Sequence, residues 1–216
     1  MRPAPFLLER YFAGREFSAS YQLSGSDCET LRVGDLLALV PDAARQLAEL
    51  PLGYTESAGA PPLRAAVAAL YDDLTPDGVL VHSGAQEAVF TLVNAILSAG
   101  DHAIVQWPCY QSLFELPRAA GAAVSPWRAD PATWAPDPDE LSDLVRPETR
   151  LLVVNSPHNP TCCDDQLNLG STPSCLSPDA TAWCCCSTRS TGGWSMRRTL
   201  GCRPPATPTS AASPWG

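Results

Sequence analysis

An α/β fold with a mainly parallel sheet is what this sequence predicts, and three observations carry that expectation. From residue 78 to residue 156, short β-branched apolar runs alternate with segments whose apolar residues recur at helical spacing. The last run, "RLLVVNS" (150–156), is apolar throughout its middle, as a strand covered on both faces requires. The composition, 45% hydrophobic with 17% charged residues, suits a chain that buries a substantial core.

The elements follow in order. "PFLLERYFA" (5–13) has helical spacing, and "VGDLLALVPDAARQLAEL" (33–50) reads as an amphipathic helix interrupted near Pro41; "SGSDCE" (24–29) between them is loop-like. "LGYTESAGAPPLRAAVAALY" (52–71) is a loop leading into an alanine-rich helix, with Pro62 in its first turn. "GVLVHS" (78–83) predicts a first strand. In the helix that follows (84–100), Val89, Leu92, Val93, Ile96 and Leu97 share one face, and Gly100 suits its C-terminal cap. "HAIVQWP" (102–108) predicts a strand, "YQSLFELPRAAG" (110–121) a helix loosened at Pro117, and "AAVSPWRA" (122–129) an interrupted strand. "DPDELSDLV" (137–145) is helical and 150–156 is the buried strand. The expected organisation is an N-terminal arm with helices over 1–50, a partial large domain over 51–161, and an irregular tail over 162–216.

Charge narrows the function classes. A formal net charge of −9 offers no basic patch to neutralise a phosphate backbone, which argues against nucleic-acid binding. No apolar run is long enough to span a bilayer, and Glu9 and Arg10 interrupt the N-terminal apolar stretch too early for a secretory signal, so a cytoplasmic protein is expected. The 216 residues include no lysine; the 14 Lys and Arg side chains are all arginine.

In a parallel sheet, ligands bind beyond the carboxyl ends of the strands, which singles out three loops: Ser83–Glu87, Pro108–Tyr110 and 155–161. "HSGAQEA" sets small residues at a helix N-terminus, where free N–H groups can hold an anion. "PCY" ends the next strand in an aromatic able to stack on a planar ligand, and "NSPHNPT" supplies Asn155, His158 and Asn159 in a proline-stiffened loop. Taken singly, each is better explained by a structural role: a tight turn, a core-rim aromatic, and turn-forming asparagines.

Together and in this order, the loops resemble the class I/II aminotransferases, pyridoxal-phosphate-dependent enzymes of fold type I, over about residues 5–161. "GYTESAG" with "PPLRAAVA" is similar to that family's tyrosine loop, "SGAQEA" to its phosphate turn, "WPCY" to its ring-stacking segment and "NSPHNPT" to its Asn-Pro-Thr motif. The opening "LLERYFA…SGSDCETL" is similar to a subgroup that includes capreomycidine-synthase-like enzymes. The resemblance implies an incomplete fold-type-I large domain and transamination between an amino acid and a 2-oxo acid in a homodimer. It implies that Ala85 and Gln86 hold the phosphate through backbone N–H groups and that Tyr110 stacks on the pyridine ring. It further implies that Asn159 bonds the ring's phenolic oxygen, and that Tyr54 reaches the phosphate in the neighbouring subunit.

The resemblance also implies two groups that are missing: a lysine that attaches the cofactor and moves the proton, and an aspartate that pairs with the pyridine nitrogen. Past residue 161 there is no Asp-x-x-Tyr, and Cys162 stands where the family has glycine. The expectation is a chain that does not transaminate, acting at most as a cofactor-binding or dimerising fragment.

Composition breaks at the same place. Residues 1–161 hold 20 acidic and 10 basic side chains against 3 and 4 in residues 162–216, while seven of the nine cysteines lie in the later segment. With permitted codons, "TAWCCCSTRSTGGWS" (181–195) read from its third base gives Gly-Val-Val-Leu-Leu-Phe-Asp-Glu-Val-Tyr-Arg-Gly-Leu-Glu, an apolar strand ending in Asp-x-x-Tyr. A translation out of frame, starting between Cys162 and Gly170, is therefore expected; it predicts disorder in the tail and an unpaired edge on the last strand. A metal site is the rival account of the cysteines. Closed sites space their ligands in pairs, which three consecutive cysteines (Cys184, Cys185, Cys186) do not.

Overall fold

The structure is a computed structural model that describes residues 2–23, 30–72, 74–156, 158, 184–189 and 193–198. Its helices are α1 (Leu7–Phe12), α2 (Val33–Leu37), α3 (Ala43–Ala48), α4 (Pro61–Ala68), α5 (Ala85–Ile96), α6 (Gln111–Ala120) and α7 (Pro138–Leu144). Its strands are β1 (His102–Trp107), β2 (Ala123–Arg128), β3 (Thr149–Ser156), β4 (Cys184–Arg189) and β5 (Gly193–Arg198). The chain divides into two compact units, residues 18–83 and residues 1–17 with 84–216. Residues 1–17 of the N-terminal arm thus group with the sheet-bearing unit.

In the smaller unit the break near Pro41 separates α2 from α3, where Asp42 adopts the left-handed conformation (φ 61°). Pro61 and Pro62 open α4, where their missing N–H groups have no helical partner to lose. Arg64, on α4, ties the following turn: its Nε donates to the carbonyls of Pro76 (2.9 Å) and Val79 (3.2 Å), and its Nη2 to Asp77 Oδ1 (3.1 Å). Residues 79–82 do not form the strand that their β-branched pattern predicts. The segment follows a 3-10 turn (Pro76–Gly78) and its Val81 N–H reaches the Ala58 carbonyl at 2.9 Å, with no ladder beside it. A β-branched run becomes a strand only when another strand pairs with it. Gly59 (φ 108°) turns the chain tightly here, and a Cβ on it would collide with the Val81 side chain.

The larger unit is built on a sheet of order β2-β1-β3-β4-β5, parallel except for the antiparallel pair β4–β5. β2 is continuous through Pro126, because as an edge strand it can turn the position without an N–H away from the ladder. α6 likewise runs through Pro117, whose ring is fully buried, and ends at Gly121 (φ 96°), where a Cβ would lie 3.1 Å from the Ala99 backbone. The core joins Val89, Val93 and Leu97 from α5 and its end, Ala103 and Val105 of β1, Leu113 of α6, and Leu151 and Val153 of β3. Each of these valine and leucine side chains contributes about 1.5–3 kcal/mol by leaving water.

β3 does not have the unpaired edge expected of it. Val153–Ser156 pair in parallel with Cys184–Ser187, so two segments of the supposedly irregular tail are strands. Cysteine, threonine and tryptophan tolerate the pleated backbone, and an open strand edge offers a template for pairing.

Candidate functional site

The three loops singled out by the sequence lie at the start of α5 and at the carboxyl ends of β1 and β3. Gly84 precedes α5 with no side chain to cap it, and the first helical bond runs from the Ala88 N–H to the Gly84 carbonyl (3.2 Å). Among the described residues, the Ala85 and Gln86 N–H groups have no partner, and nothing lies within 4 Å of the position a Gly84 Cβ would take. Two free donors at the positive end of a twelve-residue helix suit an anion such as a phosphate. Glu87 is the acidic side chain in that first turn.

Tyr110 caps the start of α6, its carbonyl accepting from the Leu113 N–H at 3.0 Å. Val89 of α5 and Tyr110 pack into one apolar cluster, which holds the two loops to a common core. The Tyr110 hydroxyl donates to Glu9 Oε1 at 2.6 Å, and the Phe6 ring sits 5.1 Å from the Tyr110 ring at a 52° tilt. Gln111 fastens the same arm: its Oε1 accepts from the Leu7 N–H and its Nε2 donates to the Pro5 carbonyl, both at 2.9 Å. Burial, reinforced by the Glu9 hydrogen bond and charge, pushes the Tyr110 phenol up to about 12. Burial alone pushes the neighbouring Cys109 thiol up to about 12, so it is no thiolate nucleophile at neutral pH.

The ends of β1 and β3 are tied to each other. The buried His158 ring reaches the Pro108 carbonyl through Nε2 at 2.8 Å, and because a carbonyl only accepts, Nε2 carries the proton. The Gln106 side chain, buried in β1, accepts from the Asn155 N–H at 2.9 Å. Ala85, Gln86 and Tyr110 thus belong to one unit. Tyr54 belongs to the other and is fully exposed, while Asn159 and Cys162 lie outside the described residues. Glu9 and Gln106 were not foreseen as members of this region. The signal for Gln106 was present: a lone polar residue inside the apolar run "AIVQW".

A second polar cluster sits at the opposite, amino ends of β1, β2 and β3. Buried His102 contacts Thr149 Oγ1 (2.7 Å) and Ser125 Oγ (2.9 Å), and Arg146 donates to the same two hydroxyls through its backbone N–H and its Nη2. Burial and the Arg146 charge hold the His102 imidazole below its ordinary range, partly opposed by Glu148.

Comparison with known proteins bears on the carboxyl-end site. The family model described as aminotransferase class I and II matches residues 27–164. Capreomycidine synthase of Streptomyces vinaceus is 38% identical over 162 residues, covering 73% of this chain and 42% of that protein. Aspartate/prephenate aminotransferase of Thermus thermophilus is 35% identical over 174 residues, covering 71% and 45%. The crystal structure of a PLP-dependent aminotransferase from Streptococcus suis superposes with a TM-score of 0.69 at 31% identity, covering 74% of this chain and 44% of that one. The chain spans less than half the length of these relatives.

Proposed function

Because the chain belongs to the class I and II aminotransferases, we propose that it carries one part of a pyridoxal 5'-phosphate site and binds that cofactor without transaminating. The observation that carries this is the pair of unpartnered N–H groups, Ala85 and Gln86, beside an open Gly84. They would hold the phosphate, and Tyr110 would offer its ring to the pyridine. Asn159 would bond the phenolic oxygen, and Tyr54 would serve the site of a second copy of the chain. When bound, the cofactor supplies an electron sink for amino-group exchange between an amino acid and a 2-oxo acid. His158 and Gln106 keep the β1 and β3 ends in register so that the ring-facing loop does not open.

That exchange needs a primary amine to attach the cofactor and shuttle the proton, and these 216 residues contain no lysine. Binding without turnover is therefore the expected behaviour.

Substituting Ala85→Pro tests it. Proline is tolerated at the first helical position and follows the extended Gly84 without strain, yet it deletes one phosphate donor. Affinity for pyridoxal phosphate is expected to fall about tenfold, the worth of one charge-assisted hydrogen bond, with affinity for unphosphorylated pyridoxal unchanged. Equal loss for both ligands would place the phosphate elsewhere.

A further inference from the structure

We propose that the N-terminal arm is a positioning element for the cofactor ring, with Glu9 and Phe6 setting the orientation of Tyr110. The inference rests on the proposed cofactor site and names residues outside the motifs that define it. Four contacts join residues 5–9 to Tyr110 and Gln111, about a hundred positions away in the chain: the Tyr110 hydroxyl to Glu9, the Phe6 ring to the Tyr110 ring, and both ends of the Gln111 amide to the arm's backbone.

The geometry constrains how Tyr110 can work. An aromatic ring stacks usefully only when its plane is fixed, and a tyrosine at a loop end has two free torsions. The Glu9 carboxylate holds the far end of the phenol at 2.6 Å, and Phe6 lies against the ring at 5.1 Å. Among the described residues no second aromatic ring packs on Tyr110, so Phe6 is the ring that sets its tilt. The hydroxyl is committed as a donor to Glu9, so the ring, and not the oxygen, is what Tyr110 presents. Glu9 and Phe6 are positioning residues, because they act through Tyr110.

Pyridoxal 5'-phosphate is the probe, titrated into the full chain with tryptophan emission and cofactor absorbance as readouts. Glu9→Ala should weaken binding on the order of tenfold, and Glu9→Gln, which still accepts the hydrogen bond, should recover most of it. In a Tyr110→Phe background the same Glu9→Ala change should have no further effect, because the shared hydrogen bond is already gone. A purely structural arm would instead give equal losses in both backgrounds, and that result overturns the inference, as does unchanged or tighter binding by Glu9→Ala. If neither the parent chain nor any variant binds the cofactor, the proposed site itself fails and the inference falls with it.

Discussion

Tyr110 donates its phenolic hydrogen to Glu9 across 2.6 Å, joining the end of β1 to a helix 101 residues earlier in the chain. The pair has a pH signature. The phenol ionises near 10 in an unfolded chain and is pushed up to about 12 here by burial and by Glu9. Because the folded value is raised, the associated stability is whole below pH 10 and is lost as pH climbs toward 12. Tyrosinate absorbance compared with Tyr110→Phe isolates this titration. Glu9→Gln should move it to lower pH, and a titration unmoved by Glu9→Gln would mean that burial alone sets it.

His102 gives the opposite sign. Its folded value lies below the ordinary 6.5, so the unfolded chain takes up the proton first and stability is lost as pH falls from 6.5 through the folded value. Arg146 and Glu148 are the charged groups that bear on it. Denaturant midpoints at pH 7.5 and at pH 5 should differ for the parent chain and differ less for His102→Gln. That variant should also cost about 1 kcal/mol at neutral pH, since Thr149 and Ser125 lose the imidazole contacts and keep only those from Arg146.

Arg64 holds the turn after α4 through two backbone carbonyls. Its ion pair with Asp77, an almost fully exposed carboxylate, contributes little. Arg64→Met should therefore destabilise residues 74–82 by about 1–3 kcal/mol, and Arg64→Lys should not restore them, because an ammonium lacks the guanidinium fork. Hydrogen exchange of the Val81 amide reports the effect; Asp77→Asn should leave it nearly unchanged.

The gene itself tests the account of residues 162–216. β4 (Cys184–Arg189) overlaps the stretch that reads as an apolar strand ending in aspartate when the frame is shifted. DNA sequence through this region should show one frame that continues the aminotransferase pattern and reaches a Ser-Lys turn shortly beyond the codon for Gly216. A stop codon early in that frame would remove the explanation.

The parallel sheet and α5 through α7 were legible because each carries its own periodicity and has its packing partner nearby in sequence. The start of α5 just after Gly84 was legible for the same local reason. Residues 79–82 were misjudged because a strand is a relation between two segments, and the pattern of one segment cannot supply the other. The arm's hold on Tyr110 was invisible for a similar reason: nothing in "PFLLERYF" or "WPCYQSL" alone indicates that Glu9 and Tyr110 meet. Pro117 and Pro126 read as interruptions, and burial in one case and an edge position in the other absorbed them.

The most direct measurement is a single titration of the full chain with pyridoxal 5'-phosphate in the presence of an amino acid donor, following cofactor binding and formation of the aminated cofactor together. The account predicts saturable binding, with amination no faster than that of free cofactor in the same buffer. Amination above that background would contradict it, and so would the absence of any saturable binding.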